Sequence, residues 1–182
     1  MITKKNNFFL EYFKNLFSKI NLENNSSKLF AIVKIIKNLK KNKKKVLIFG
    51  NGGSASIASH FSVDLTKMCK IRCVNFNEAN LITCFANDYG YENWVSEAIK
   101  AYADYNDVLI LISSSGVSKN ILNAFKEAKK KKLQIITFSG FKKNNKLKNM
   151  GKINIWIDSK NYNIVENSHQ FLLLSVTEFL KQ

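Results

Sequence analysis

The sequence has no proline, and its 182 residues include only seven glycines, three cysteines and two histidines. Long apolar runs are also missing. Stretches such as Val108–Ile112 and Phe171–Leu174 fall far short of the roughly 20 residues that cross a bilayer, so no membrane partner is expected. The two lysines of the leading Met1-Ile-Thr-Lys-Lys-Asn-Asn are followed by no uninterrupted apolar stretch and no small-residue cleavage site. No secretory signal is therefore expected. Cys69, Cys73 and Cys84 are odd in number and outside Cys-x-x-Cys spacing. This argues against a disulfide framework and a zinc knuckle, and the three are read as reduced, cytoplasmic thiols.

Acidic residues are scarce as well. Thirteen Asp and Glu face 29 Lys and Arg, a formal charge of +16. The lysines are scattered along the whole chain, and a Lys- and Asn-rich, Pro-free composition is what an A/T-rich genome yields without selection for a partner. The dense runs Lys40–Lys45 and Lys129–Lys132 each precede an apolar segment, where a helix C-terminus welcomes cations. The charge is read as solvated helix ends with a general attraction for anionic substrates. A nucleic-acid partner is not expected from it.

With 46% hydrophobic residues, the chain can build one domain around one core. Phe9, Phe13, Leu16, Phe17 and Ile20 recur at helical spacing over residues 6–20. Asn24-Asn25-Ser26-Ser27 is read as a break with N-cap side chains, followed by a second helix to Lys40. The aromatic stripe of the first helix suits a subunit contact or ordinary core packing. Residues 1–44 thus form leading helices that belong to the same domain as residues 45–182.

From Lys45 the rhythm becomes strand, loop, helix. Val46–Phe49, Ile71–Val74, Asp107–Ile112, Gln134–Phe138 and Ile153–Ile157 are the strands. Helices are expected over Ala55–Met68, Ala79–Ala86, Asn120–Lys131 and Ile164–Leu180. Continuous apolar strands alternating with helices predict an α/β fold, a parallel sheet covered on both faces.

Two loops are equipped for chemistry. Gly50-Asn51-Gly52-Gly53-Ser54 lacks the third glycine of G-x-G-x-x-G, and no acidic residue ends the next strand, so it is no dinucleotide fingerprint. It would still admit a ligand close to the backbone, or simply form a tight turn. Ser113, Ser114, Ser115 and Ser118 crowd the junction of a strand and a helix around Gly116. Hydroxyls and free N–H groups at a helix start make an anion site. Without a lysine in the loop, a monophosphate fits better than a nucleoside triphosphate.

Three segments in order, Phe49-Gly-Asn-Gly-Gly-Ser-Ala with His60-Phe61, Asn87-Asp88-Tyr89-Gly90, and Ile112–Ser118, resemble the signature of SIS (sugar isomerase) domains of the phosphoheptose isomerase type. Initiator-binding paralogues of those enzymes share it. The resemblance covers most of the chain. It implies a doubly wound, five-stranded parallel sheet, a homotetramer with pockets between subunits, and an aldose or ketose heptose phosphate as ligand. Asn51, Gly52, Gly53 and Ser54, with Asn87 and Asp88, match the sugar contacts, and Ser113, Ser114, Ser115 and Ser118 the phosphate grip. His60 matches a metal ligand, and Asp64 stands where the enzymes carry a catalytic, metal-binding glutamate. Anchored on His169, Glu166 falls at a glutamine ligand and Leu174 at a catalytic histidine. The resemblance thus implies zinc or another divalent metal on His60, Asp64 and Glu166, with Asp64 as base. His169 lies about 140° around the helix from Leu174, so it is read either as a core or subunit-contact histidine or as a catalytic group. Two functions follow: a sugar-phosphate isomerase, or a non-catalytic SIS module binding a sugar phosphate or a protein.

Overall fold

The computed structural model describes residues 2–182, with side chains from residue 7 onward. Helices α1 (Ile2–Ile20) and α2 (Leu22–Lys41) lead into β1 (Val46–Phe49), α3 (Gly53–Lys67), β2 (Cys73–Val74), α4 (Ala79–Tyr89) and α5 (Trp94–Tyr102). Then come β3 (Val108–Ser113), α6 (Lys119–Lys130), β4 (Gln134–Ser139), β5 (Ile153–Trp156) and α7 (Tyr162–Leu180). The five strands are all parallel in the order β2-β1-β3-β4-β5. This is the doubly wound α/β arrangement expected from the sequence.

Alternation along each strand feeds two separate cores. Val46, Ile48, Val108, Ile110, Ile112, Ile136 and Phe138 face the side covered by α2, α3 and α7. Leu47, Phe49, Leu109, Leu111 and Ile135 face α5 and α6 on the other side. Ile20, Ile32, Val33, Ile36 and Leu39 of the leading helices join the first core, so α1 and α2 pack as part of the same body. Cys69 and Cys73 are buried and Cys84 is exposed, all as free thiols. Among the described residues no helix is long and apolar enough to cross a membrane.

The break between the first two helices lies earlier than expected. Asn21, not Asn24–Ser27, is the hinge: it takes the left-handed conformation (φ 43°), and its side chain accepts from the Asn24 N–H. The Asn25 amide donates to the Ile20 carbonyl at 2.7 Å, closing the end of α1. Asn24–Ser27 therefore sit in the first turns of α2, where short polar side chains cap orphan backbone groups. Helix α5 went unread in the sequence. Its Trp94, Val95, Ala98 and Ile99 are buried against β1 and β3.

Candidate functional site

In an open parallel sheet of this order the crevice lies between β1 and β3, where the chain reverses its direction of travel across the sheet. The glycine loop leaves the end of β1 and the serine loop leaves the end of β3, so both meet at that point. Between them lies a cavity of about 280 Å3. Asn51, Gly52, Gly53, Ser54, Ser113, Ser114, Ser115, Ser118 and Glu166 line it, together with Ile112 and Tyr162. Nine of the residues expected from the sequence thus converge in one place.

Backbone geometry explains the loop chemistry. A side chain at Gly50 would stand 2.6 Å from the Ser54 carbonyl, so only glycine lets the β1–α3 turn close this tightly. Gly52 takes φ 53°, ψ −125°, a conformation closed to other residues in practice. In the second loop, the Ser113 and Ser118 hydroxyls lie 2.9 Å apart. Ser113 Oγ also accepts from the Gly116 N–H at 3.2 Å. Ser114 Oγ is buried and finds no hydrogen-bond partner of proper geometry within the chain. A buried hydroxyl with no partner is costly unless a ligand satisfies it.

Of three residues missed in the sequence, Tyr162 lines the cavity and Asn120 and Tyr91 brace Asn51 from behind it. Asn51 and Asn120 exchange two amide hydrogen bonds, at 3.0 and 2.9 Å, and tie the glycine loop to the start of α6. Tyr91 donates its hydroxyl to Asn51 Oδ1 at 3.1 Å. Tyr162 sits one helical turn before Glu166 on α7, a spacing that puts both on one face. That i, i+4 relation was the only available signal. Nothing in the local sequence of Asn120 or Tyr91 marks them.

Not every expected residue reaches this cavity. Asn87 and Asp88 lie at the exposed end of α4 and hydrogen-bond each other at 3.0 Å; neither lines the pocket of its own chain. His60 and Asp64 face each other at 3.4 Å, one turn apart on α3. Glu166 is elsewhere: its carboxylate rests on Gly53 at the start of α3, filling the place a Cβ would take. Asp64 is 11 residues further along, about 16 Å by helical rise. The expected triad of His60, Asp64 and Glu166 therefore does not assemble within one chain. Among the described residues no cluster of three or more His, Cys, Asp or Glu side chains has metal-site spacing.

His169 resolves to the core reading. It is fully buried, pairs through Nε2 with the Ser139 carbonyl at 3.1 Å, and meets the Phe138 ring edge-on. Burial pushes its pKa down to about 4. Leu174 stands at the position the resemblance gives to a histidine, on the same helix.

With this geometry in view, the chain was compared with known proteins. The SIS-domain family profile matches residues 8–140. The chain belongs to the SIS-domain family. Among relatives of this SIS domain, the phosphoheptose isomerase of Buchnera aphidicola subsp. Acyrthosiphon pisum is 39% identical over 129 residues. The match covers 67% of this chain and 65% of that enzyme, just under two thirds of the relative's length. The phosphoheptose isomerase of Campylobacter concisus is 36% identical over 145 residues, 76% of each chain. In structure, the phosphoheptose isomerase of Neisseria gonorrhoeae superposes with a TM-score of 0.88 over 97% of both chains, at 24% identity. The profile match ends at the serine-loop side of the sheet, before β5 and α7, so Glu166 of this SIS domain lies outside it.

One charge in the cavity opposes the ligand the serines suit. Burial pushes the Glu166 carboxyl up, and the nearby Ser114 hydroxyl offsets part of that push. An ionised carboxylate beside a phosphate dianion is repelled by it, so phosphate binding should draw a proton onto Glu166. Affinity for inorganic phosphate is expected to rise as pH falls toward Glu166's raised pKa. Glu166→Gln should bind more tightly at pH 8, by about tenfold on the scale of one like-charge contact, and lose that part of the pH dependence. Calorimetry across pH checks both; an unchanged profile in Glu166→Gln would remove the carboxylate from the phosphate's neighbourhood.

Proposed function

We propose that this SIS protein is an aldose–ketose isomerase acting on a sugar phosphate of the heptose class. The observation that carries the reading is the meeting of the serine loop and the glycine loop across the β1–β3 crevice, with the buried Ser114 hydroxyl beside the Glu166 carboxylate. The relatives named above are phosphoheptose isomerases, which supports the same class of substrate.

The chemistry divides into grip and proton transfer. Ser113, Ser115 and Ser118 hold the phosphate from the end of β3, and Asn51, fixed by Asn120 and Tyr91, presents its loop to the sugar hydroxyls. Isomerisation then needs a base to take the proton from the carbon next to the carbonyl and return it to the neighbouring carbon. The enediolate formed between the two steps needs a positive or hydrogen-bonding partner. Within one chain the cavity holds a single carboxylate, Glu166. We assign the base to Asp64 of a neighbouring copy, with Asn87 and Asp88 completing the sugar contacts from across the subunit boundary. Within one chain His60 and Asp64 stand apart from Glu166, and no step is routed through a divalent metal.

Assembly is part of the proposal. Phe8, Phe9, Phe13 and Phe17 are roughly half to two-thirds exposed on α1, and Phe17 stacks on the exposed Phe171 of α7. An apolar stripe of this extent is rarely left bare to water. A closed homo-oligomer, a tetramer, is expected with α1 at a contact. Light scattering at micromolar concentration should return a multiple of 20.9 kDa; a stable monomer would refute the assembly and with it the shared base.

The direct test is incubation of the purified protein with a ketoheptose phosphate, with and without added divalent metals, followed by separation of aldose and ketose products. Isomer interconversion is expected. Binding without interconversion would favour the non-catalytic SIS module, for which the leucine at position 174 is the specific structural argument. Ser113→Ala, Ser115→Ala and Ser118→Ala should each weaken binding by about 1–3 kcal/mol, as charge-assisted bonds do, with folding little changed. Unchanged calorimetric affinity in all three would end the phosphate assignment.

A further inference from the structure

The end of the sheet opposite the sugar-phosphate cavity carries a second feature. The turns that enter the first four strands gather there: Asn42–Lys45 before β1, Met68–Arg72 before β2, Ala103–Asp107 before β3 and Lys131–Leu133 before β4. Each follows a helix C-terminus, which explains a cation or two apiece. It does not explain their convergence. Lys40, Lys43, Lys44, Lys70 and Arg72 line one pocket of about 360 Å3 with Ile71 and no acidic residue. Arg72 reaches the Lys43 carbonyl and joins two of these turns.

Lysines elsewhere on the surface behave differently. Lys14, Lys100, Lys130 and Lys181 each pair with a glutamate three residues away. The nearby carboxylates Asp104 and Asp107 are both taken by Lys45, at 2.6 Å each. Among the described residues, none of the five pocket cations has a carboxylate within ion-pair distance. A second pocket of about 350 Å3 shares Lys44 and continues the groove. Asn38, Asn42, Asn106 and Gln134 supply amides there, beside the exposed ring of Tyr105. Lys132 approaches that ring to 5.9 Å.

We propose that this groove is a docking site for single-stranded nucleic acid, with backbone phosphates in the cationic pocket and a base stacked on Tyr105 among the amides. A positive groove that ends on an aromatic platform is what such strands use. The flat headgroup layer of an anionic membrane would use the lysines but not the amides that line the second pocket. The site is independent of the isomerase reading, since it lies at the other end of every strand.

The test is fluorescence anisotropy of labelled 12-nucleotide oligo-U and oligo-dT at 50–200 mM salt, with phosphatidylglycerol vesicles in parallel. The triple variant Lys43→Gln, Lys70→Gln, Arg72→Gln is expected to bind at least tenfold more weakly. Its log–log salt slope should fall by about 2, at roughly 0.7 per phosphate contact. Tyr105→Ala should lose about tenfold with the slope unchanged. The charge-matched triple Lys14→Gln, Lys126→Gln, Lys142→Gln should bind as the parent does. Equal loss in that control would make the affinity a property of net charge and overturn the site. So would vesicle binding without oligonucleotide binding, or no oligonucleotide binding at 50 mM salt. Thermal melting of each variant separates lost binding from lost folding.

Discussion

Asp64→Asn is expected to lower sugar-phosphate isomerisation by about 100-fold or more, the usual scale for removing a positioned base. Phosphate affinity should survive, because Ser113–Ser118 stand at the end of β3 and in the loop before α6 rather than on α3. The substitution keeps the shape of a side chain that packs one turn from His60, so folding should be spared. The same assay on Glu166→Gln locates the base. If Asp64→Asn is silent while Glu166→Gln loses turnover, the carboxylate inside the cavity performs the proton transfer and the subunit-shared base is wrong. If neither matters, the chemistry lies on other residues. Leu174→His adds a complementary arm: a gain of activity from an inactive parent would mark a scaffold that lost catalysis at that position.

His169 predicts an effect on stability of similar size. Its imidazole takes up a proton near pH 6.5 when unfolded but only near 4 in the folded core. Between these values unfolding absorbs a proton, so lowering the pH favours the unfolded chain. The stability tied to neutral His169 is fully present above pH 6.5 and is lost as pH falls toward 4, by about 3 kcal/mol in all. His169→Phe removes the titration. It should cost about 1 kcal/mol at pH 8 for the lost Ser139 hydrogen bond, yet show a flatter decline with acid. Denaturant melts at pH 8, 6 and 5 measure both. A His169→Phe decline as steep as the parent's would mean that carboxylates elsewhere govern acid unfolding.

The order of elements was readable because continuous apolar strands and amphipathic helices carry opposite periodicities. Val46–Phe49 and Gln134–Ser139 stand almost where the pattern puts them. The expected strand Ile71–Val74 shortens to Cys73 and Val74, since the turn from α3 uses the residues before them. Helix α5 hid because its nine residues follow the Gly90–Asn93 turn without a clear start signal. The cavity was legible where chemistry is local, as in four serines within six residues. Asn120 and Tyr91 act only through contacts with Asn51 made 69 and 40 residues away, and no local pattern records such a partner. His169 was ambiguous for a related reason. Whether a helix histidine meets solvent or a carbonyl depends on the strand beneath it.

The Asn51–Asn120 clasp and the β1–β3 pairing have a consequence for how the molecule comes into being. Val46 and Val108 are neighbours across the sheet though 62 residues apart in the chain. No partly made chain that stops before Asn120 can close the crevice. Under the proposed function, partially folded forms are blind to the sugar phosphate, and only the completed architecture would gain from it. A ligand present at 100 times its dissociation constant would favour that completed state by about 2.7 kcal/mol. Metabolite supply would then act on the lifetime of the protein as well as on its occupancy.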